Sequence, residues 1–147
     1  MEAAGVSAGA LERIVMGATR PGRMFPSSAC LLQHKLGSNG CPAFDVNAAC
    51  SGFIYAMSVA DKFVRAGDAK TVLVVGSETL TRMVDWSDRS TCVLFGDGAG
   101  AAVAAVVGMA VVVVRPVAPA SVGCRQRSQA VGEARAVALV AALARFP

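Results

Sequence analysis

The chain has 147 residues, 54% of them hydrophobic and 16% charged, a balance that supplies a core for one ordinary domain and argues against disorder. Its formal net charge is +4, but nine Lys and Arg balance nine Asp and Glu over residues 1–107, and the excess sits in residues 108–147, where five Arg meet one acid, Glu133. A basic tail whose one aromatic is Phe146 offers neither a stacking platform nor a phosphate-tracking stripe, so a nucleic-acid partner is set aside.

Ile14 to Thr19 is a short apolar strand candidate, and "RPGRMFPSS" after it is a loop by its Pro and Gly content. Ser27 or Ser28 can cap a helix that runs through Leu36 and stops at Gly37. "PAFDVN" is read as a strand entering a tight connection. From Ser51 to Ala66 the residues Phe53, Met57, Ala60 and Val64 recur at helical spacing, Lys62 and Arg65 suit the last turn, and Gly67 is the natural stop. "KTVLVVGSE" is a buried strand by its β-branched run, and "TCVLFGDGAGAAV" is read as strand, glycine turn, strand. The uncharged run Gly98 to Val114 raises a membrane span, but it is short for one and rich in Gly and Ala, and a buried strand is preferred. Strands alternating with helices predict an α/β layered domain.

Composition changes after about Val107: of residues 108–147, 24 are Ala, Val or Arg, and Lys, Asp, Ile and Tyr are absent. Two readings stay open. One is a strand over Ala110 to Arg115 plus an amphipathic helix over Gln129 to Arg145; the other is GC-rich DNA translated in an unintended frame. The chain is therefore divided at residues 1–107 and 108–147.

Five cysteines, Cys30, Cys41, Cys50, Cys92 and Cys124, form no CxxC pair, and His34 is the sole histidine. This fits no familiar zinc spacing and makes a disulfide framework unfavourable. Glu2, Glu12 and Arg13 precede any long apolar stretch, so no secretory signal is read and a reducing, cytoplasmic setting is the default expectation.

In "FDVNAACSGF" Cys50 stands where a strand-like run gives way to a helix-like one. A helix start points unpaired N–H groups and the positive end of its dipole at the first turn, a setting that favours a thiolate. Ala48, Ala49, Ser51 and Gly52 are small enough to let a substrate carbonyl approach the sulfur. The competing reading is a buried small hydrophobe, the common state of a free cysteine, and geometry alone leaves both open. The other four cysteines are read as structural.

The segments "MFPSSACLLQHKLG", "GCPAFDVNAACSGFIYAMSVADKFVRAG", "KTVLVVGSETLTR" and "DWSDRSTCVLFGDGAGAAV" closely resemble β-ketoacyl-acyl carrier protein synthase III. This condensing enzyme starts bacterial and plastid fatty-acid synthesis. The resemblance runs from about Glu2 to Val106. It implies an α/β thiolase-like layered fold, present here as one incomplete half with a mixed sheet and packed helices. It also implies acyl transfer from acyl-coenzyme A, with acetyl-coenzyme A expected, followed by decarboxylative condensation with malonyl-acyl carrier protein.

By the same resemblance, Cys50 is the nucleophile and Arg89 meets the adenine and phosphate region of coenzyme A. Phe25 crosses a homodimer interface to close the partner's acyl pocket, Leu80 and Leu94 line the pocket, and Gly96 to Gly100 is a glycine turn. Acyl-coenzyme A is a substrate, and no metal or cofactor is implied. Family members place a catalytic His and Asn in their second half. His34 lies instead in "LLQHKLG" and is read as a surface histidine, and Asn47 does not replace the missing Asn. A catalytically incomplete remnant, or a non-enzymatic dimerising fragment, is the alternative reading.

Overall fold

A computed structural model describes residues 4–19, 25–38 and 40–106 of the chain. The expected strand and helix of the tail, and Cys124, lie outside them. Four strands, β1 (Arg13–Gly17), β2 (Ala43–Val46), β3 (Thr71–Thr79) and β4 (Asp97–Ala105), form one sheet in the order β2-β1-β3-β4. β1 is parallel to both β2 and β3, whereas β4 runs antiparallel to β3 along its whole length. The mixed sheet with packed helices matches the expected fold class.

Alternation along the strands sorts their side chains onto two faces. Ile14, Met16, Leu73, Val75, Ala101 and Val103 pack with Ala29 and Leu32 of helix α1 (Ser28–Leu36). Val15, Val72, Val74 and Ala104 pack with Ala56 and Ala60 of helix α2 (Gly52–Ala66), joined by Phe53, Met57 and Val64. Each helix thus covers one face, and the buried β-branched runs of β1 and β3 are those of a sheet covered on both sides.

The helix ends follow their local chemistry. The Ser27 hydroxyl accepts from the Cys30 N–H at 3.2 Å, satisfying one of the donors that a helix start leaves unpaired. Asp45 of β2 accepts from the N–H groups of Ser28 and Ala29 at 2.9 and 2.8 Å, which locks the start of α1 to the sheet. Gly37 and Gly67 close the two helices in the left-handed region, at φ 69° and 78°, where a Cβ would be strained.

One expectation is corrected between β3 and β4. "TCVLF" is not a strand: the Cys92 N–H donates to the Asp88 carbonyl and the Leu94 N–H to that of Thr91, both at 3.0 Å. The cause is Asp88, whose carboxylate accepts from the Ser90 N–H at 2.9 Å and from the hydroxyls of Ser90 and Thr91, so that local turn bonds outcompete pairing. Conversely, the glycine turn expected over Gly96 to Gly100 gives way to strand from Asp97 on, with Gly100 opposite Gly76 and Gly98 opposite Glu78, and the strand expected after it is part of β4.

Candidate active site

The parallel strands β1, β2 and β3 end on one side of the sheet, the side on which open α/β folds bind ligands. Cys50 lies there, four residues past the end of β2, in a short 3-10 turn (Ala49–Ser51) that runs straight into α2. It is exposed, whereas Cys41 and Cys92 are buried and Cys30 is half-buried with its thiol directed at the Ala43 carbonyl, 3.3 Å away. Cys50 is thus exposed at a helix start, whereas Cys41 and Cys92 sit as buried small hydrophobes do.

Two backbone features place the turn. Gly17 at the end of β1 lies against Gly52: a Cβ on Gly17 would come 2.4 Å from the Gly52 carbonyl carbon and 2.7 Å from the Phe53 nitrogen. The start of α2 therefore rests directly on the strand backbone, an approach that a side chain would prevent. Ala49, next to Cys50, has φ 46°, a left-handed conformation uncommon for a residue with a side chain.

Polar groups brace the same region. The Asn47 amide donates from Nδ2 to the Thr19 carbonyl at 3.2 Å, and its Oδ1 accepts from the Ala49 N–H at 3.5 Å. The Thr19 N–H donates to Glu78 Oε1 at the end of β3. These contacts, the Gly17–Gly52 approach and the φ of Ala49 were missed in the sequence. The available signals were an Asn directly after a strand and a Gly as the last residue of one.

The other named residues occupy different settings. Leu80 is half-buried in a 3-10 turn (Leu80–Arg82) that is pinned to β4 through Thr81, whose N–H and hydroxyl donate to Asp97 at 2.9 and 2.7 Å. Arg89 is exposed in the connection between β3 and β4. Phe25 is 90% exposed just ahead of α1, and Leu94 is 69% exposed between the exposed Val93 and Phe95. Asp88, beside Arg89, has its carboxyl held down to about 2 by the hydroxyl of Ser90 and then that of Thr91, because these bonds favour the ionised form. Asp85 is held below the usual carboxylate range by Ser87 in the same way. His34 is exposed on α1. Among the described residues no group of His, Cys, Asp or Glu is gathered in a way that could hold a metal ion, and no helix is long and apolar enough to cross a membrane.

The mixed sheet with a helix on each face, and the cysteine on a tight turn at the start of one helix, are similar to part of the thiolase-like synthases of known structure. The solved 3-oxoacyl-[acyl-carrier-protein] synthase III of Aquifex aeolicus superposes with a TM-score of 0.66 at 54% identity, covering 69% of this chain and 33% of that one. That of Thermus thermophilus gives 0.63 at 43% identity over 66% and 31%. Residues 44–113 match the family model for 3-oxoacyl-[acyl-carrier-protein (ACP)] synthase III.

A curated β-ketoacyl-[acyl-carrier-protein] synthase III of Xanthomonas campestris is 75% identical over 103 residues, 70% of this chain and 32% of that protein. One of Xylella fastidiosa is 68% identical over the same length. The chain thus spans about a third of the length of the curated relatives it matches.

Proposed function

We propose that the protein is a β-ketoacyl-acyl carrier protein synthase III that acts in the cytoplasm at the start of fatty-acid synthesis, with Cys50 as its acyl acceptor. The observation that carries this reading is the exposed Cys50 at the start of α2, inside a segment of high identity to curated synthases of that name. The Cys50 thiolate attacks the thioester carbonyl of acyl-coenzyme A, expected to be acetyl-coenzyme A. Coenzyme A leaves as its thiolate and the acyl group stays on the sulfur. Malonyl-acyl carrier protein then loses carbon dioxide, and its carbanion attacks the Cys50 thioester. A carbon–carbon bond forms and the Cys50 thiolate is released. Covalent catalysis divides a hard bond formation into two easier steps.

In this reading Arg89 meets the coenzyme A phosphates or adenine, for which an exposed guanidinium is suited. Leu80 and Leu94 line the acyl pocket, and the exposed Phe25 crosses to the partner of a homodimer.

A second reading, a catalytically incomplete remnant or dimerising fragment, draws on one observation: the run Val93, Leu94 and Phe95 is exposed, as an uncovered packing surface would be. Radiolabelled acetyl-coenzyme A separates the two steps. The 147 residues are expected to take up slow, substoichiometric label that disappears in Cys50→Ser. They are expected to form no β-ketoacyl product with malonyl-acyl carrier protein, because the charge of the decarboxylation transition state needs donors that the family supplies from its second half. Loss of one such donor costs about a hundredfold to a thousandfold in rate. Label retained in Cys50→Ser would sink the assignment.

A further inference from the structure

We propose that Asn47 is a positioning residue that holds the peptide before Cys50 in its left-handed conformation, as the last link of a hydrogen-bonded chain that begins on β3. The inference rests on Cys50 being the acyl acceptor. Ala49 carries φ 46°, and an L-residue in this region is less stable than in the right-handed one, so something must hold it there. Gly17 and Gly52 fix the far side of the turn, where the start of α2 lies against β1. On the near side the only side chain among the described residues that bonds to the Ala49 N–H is Asn47, through Oδ1 at 3.5 Å.

Asn47 is itself anchored. Its Nδ2 donates to the Thr19 carbonyl at 3.2 Å, and the N–H of the same Thr19 donates to Glu78 Oε1. Glu78, Thr19 and Asn47 therefore link the ends of β3, β1 and β2 in that order, and the final bond reaches the residue before the sulfur. Glu78 holds Thr19 with one oxygen while Oε2 stays buried with no partner among the described residues. Burying an oxygen without a partner carries a cost that other contacts of the fold must offset. Asn47 acts through the backbone, by its bonds to Thr19 and Ala49.

Brief iodoacetamide labelling of the whole chain, with the modified cysteines mapped by mass, tests this in wild type, Asn47→Ala, Asn47→Ser, Ala49→Gly and the double variant Asn47→Ala/Ala49→Gly. Asn47→Ala is expected to slow Cys50 labelling about fivefold, the change that loss of one ordinary hydrogen bond brings, while Cys30, Cys41 and Cys92 keep their wild-type rates. Asn47→Ser keeps a shorter acceptor for the Ala49 N–H and is expected to fall in between; it carries the comparison if Asn47→Ala does not fold. With glycine at position 49 the left-handed conformation is free of strain, so removing Asn47 there is expected to slow Cys50 less than about twofold, the non-additivity of coupled sites. A wild-type rate in Asn47→Ala, or an undiminished loss in the Ala49→Gly background, would overturn the proposal and leave the role of Cys50 intact. A wild-type Cys50 that labels no faster than Cys30 would overturn the acyl-acceptor reading itself.

Discussion

At the scale of single residues, Gly17 and Asp88 make the sharpest claims. A methyl group at Gly17 would sit 2.4 Å from the backbone of Gly52, and backbone cannot rotate away as a side chain does. Gly17→Ala is therefore expected to lower stability by about 1–3 kcal/mol, the usual cost of overpacking, and to displace the Cys50 turn, seen as a lower midpoint in thermal unfolding together with slower Cys50 labelling. Unchanged values would mean that α2 does not rest on β1. For Asp88, the folded-state value of about 2 lies below the ordinary 3.8. A depressed carboxyl adds stability that is present above 3.8 and is lost as pH falls through about 2. The carboxyl carbon of Asp88, followed by NMR, is expected to titrate near 2 and to move back toward 3.8 in Ser90→Ala, because the Ser90 hydroxyl is the largest cause. Titration at the ordinary value in the wild type would mean that the turn ahead of Cys92 is not formed.

At the scale of elements, α1 depends on a residue outside itself. Asp45 of β2 lies beside Met16 of β1 and accepts two N–H groups at the start of α1, where a negative charge also suits the helix dipole. Asp45→Ala leaves both donors partly buried and unpaired, and is expected to cost about 2 kcal/mol in denaturant unfolding. A cost near that of a bare surface change would show that the Ser27 cap suffices alone. The periodicity of α2 is legible in the sequence because its apolar residues face one side of a sheet, and its stop at Gly67 needs only local geometry. β4 is legible only in part, as the uncharged run from Gly98 that reads as a buried strand. Gly98 and Gly100 read as a turn, but they pair with Glu78 and Gly76 of the neighbouring strand, and a local rule has no access to a partner some twenty residues away. "TCVLF" fails for the opposite reason, since its β-branched residues promise a strand while the Asp88 carboxylate holds Ser90 and Thr91 and the backbone of Cys92 and Leu94 turns back on Asp88 and Thr91.

At the scale of the molecule, the two helices cover the sheet faces, yet Val93, Leu94 and Phe95, together with Met83 and Trp86, stay exposed. Apolar surface of this extent marks a packing or interaction face. The 147 residues are therefore expected to elute from size exclusion above their monomer mass and to bind an apolar dye, with both effects reduced in Leu94→Lys. A monomer that binds no dye would mean that the face is covered from within the chain.

What the sequence by itself determined is the local part: the α/β alternation, both helices with their glycine stops, the buried strands β1 and β3, and the resemblance that singles out Cys50. These follow from periodicity, capping and motif, which are properties of neighbours along the chain. Only the tertiary structure decided that Gly98 and Gly100 pair within β4 instead of turning, that Gly17 lies against Gly52, and that the ends of three strands are linked through Glu78, Thr19 and Asn47 to the turn before Cys50. Each of these depends on residues between 28 and 59 positions apart or on backbones meeting across the fold, and such contacts exist only once the sheet has formed.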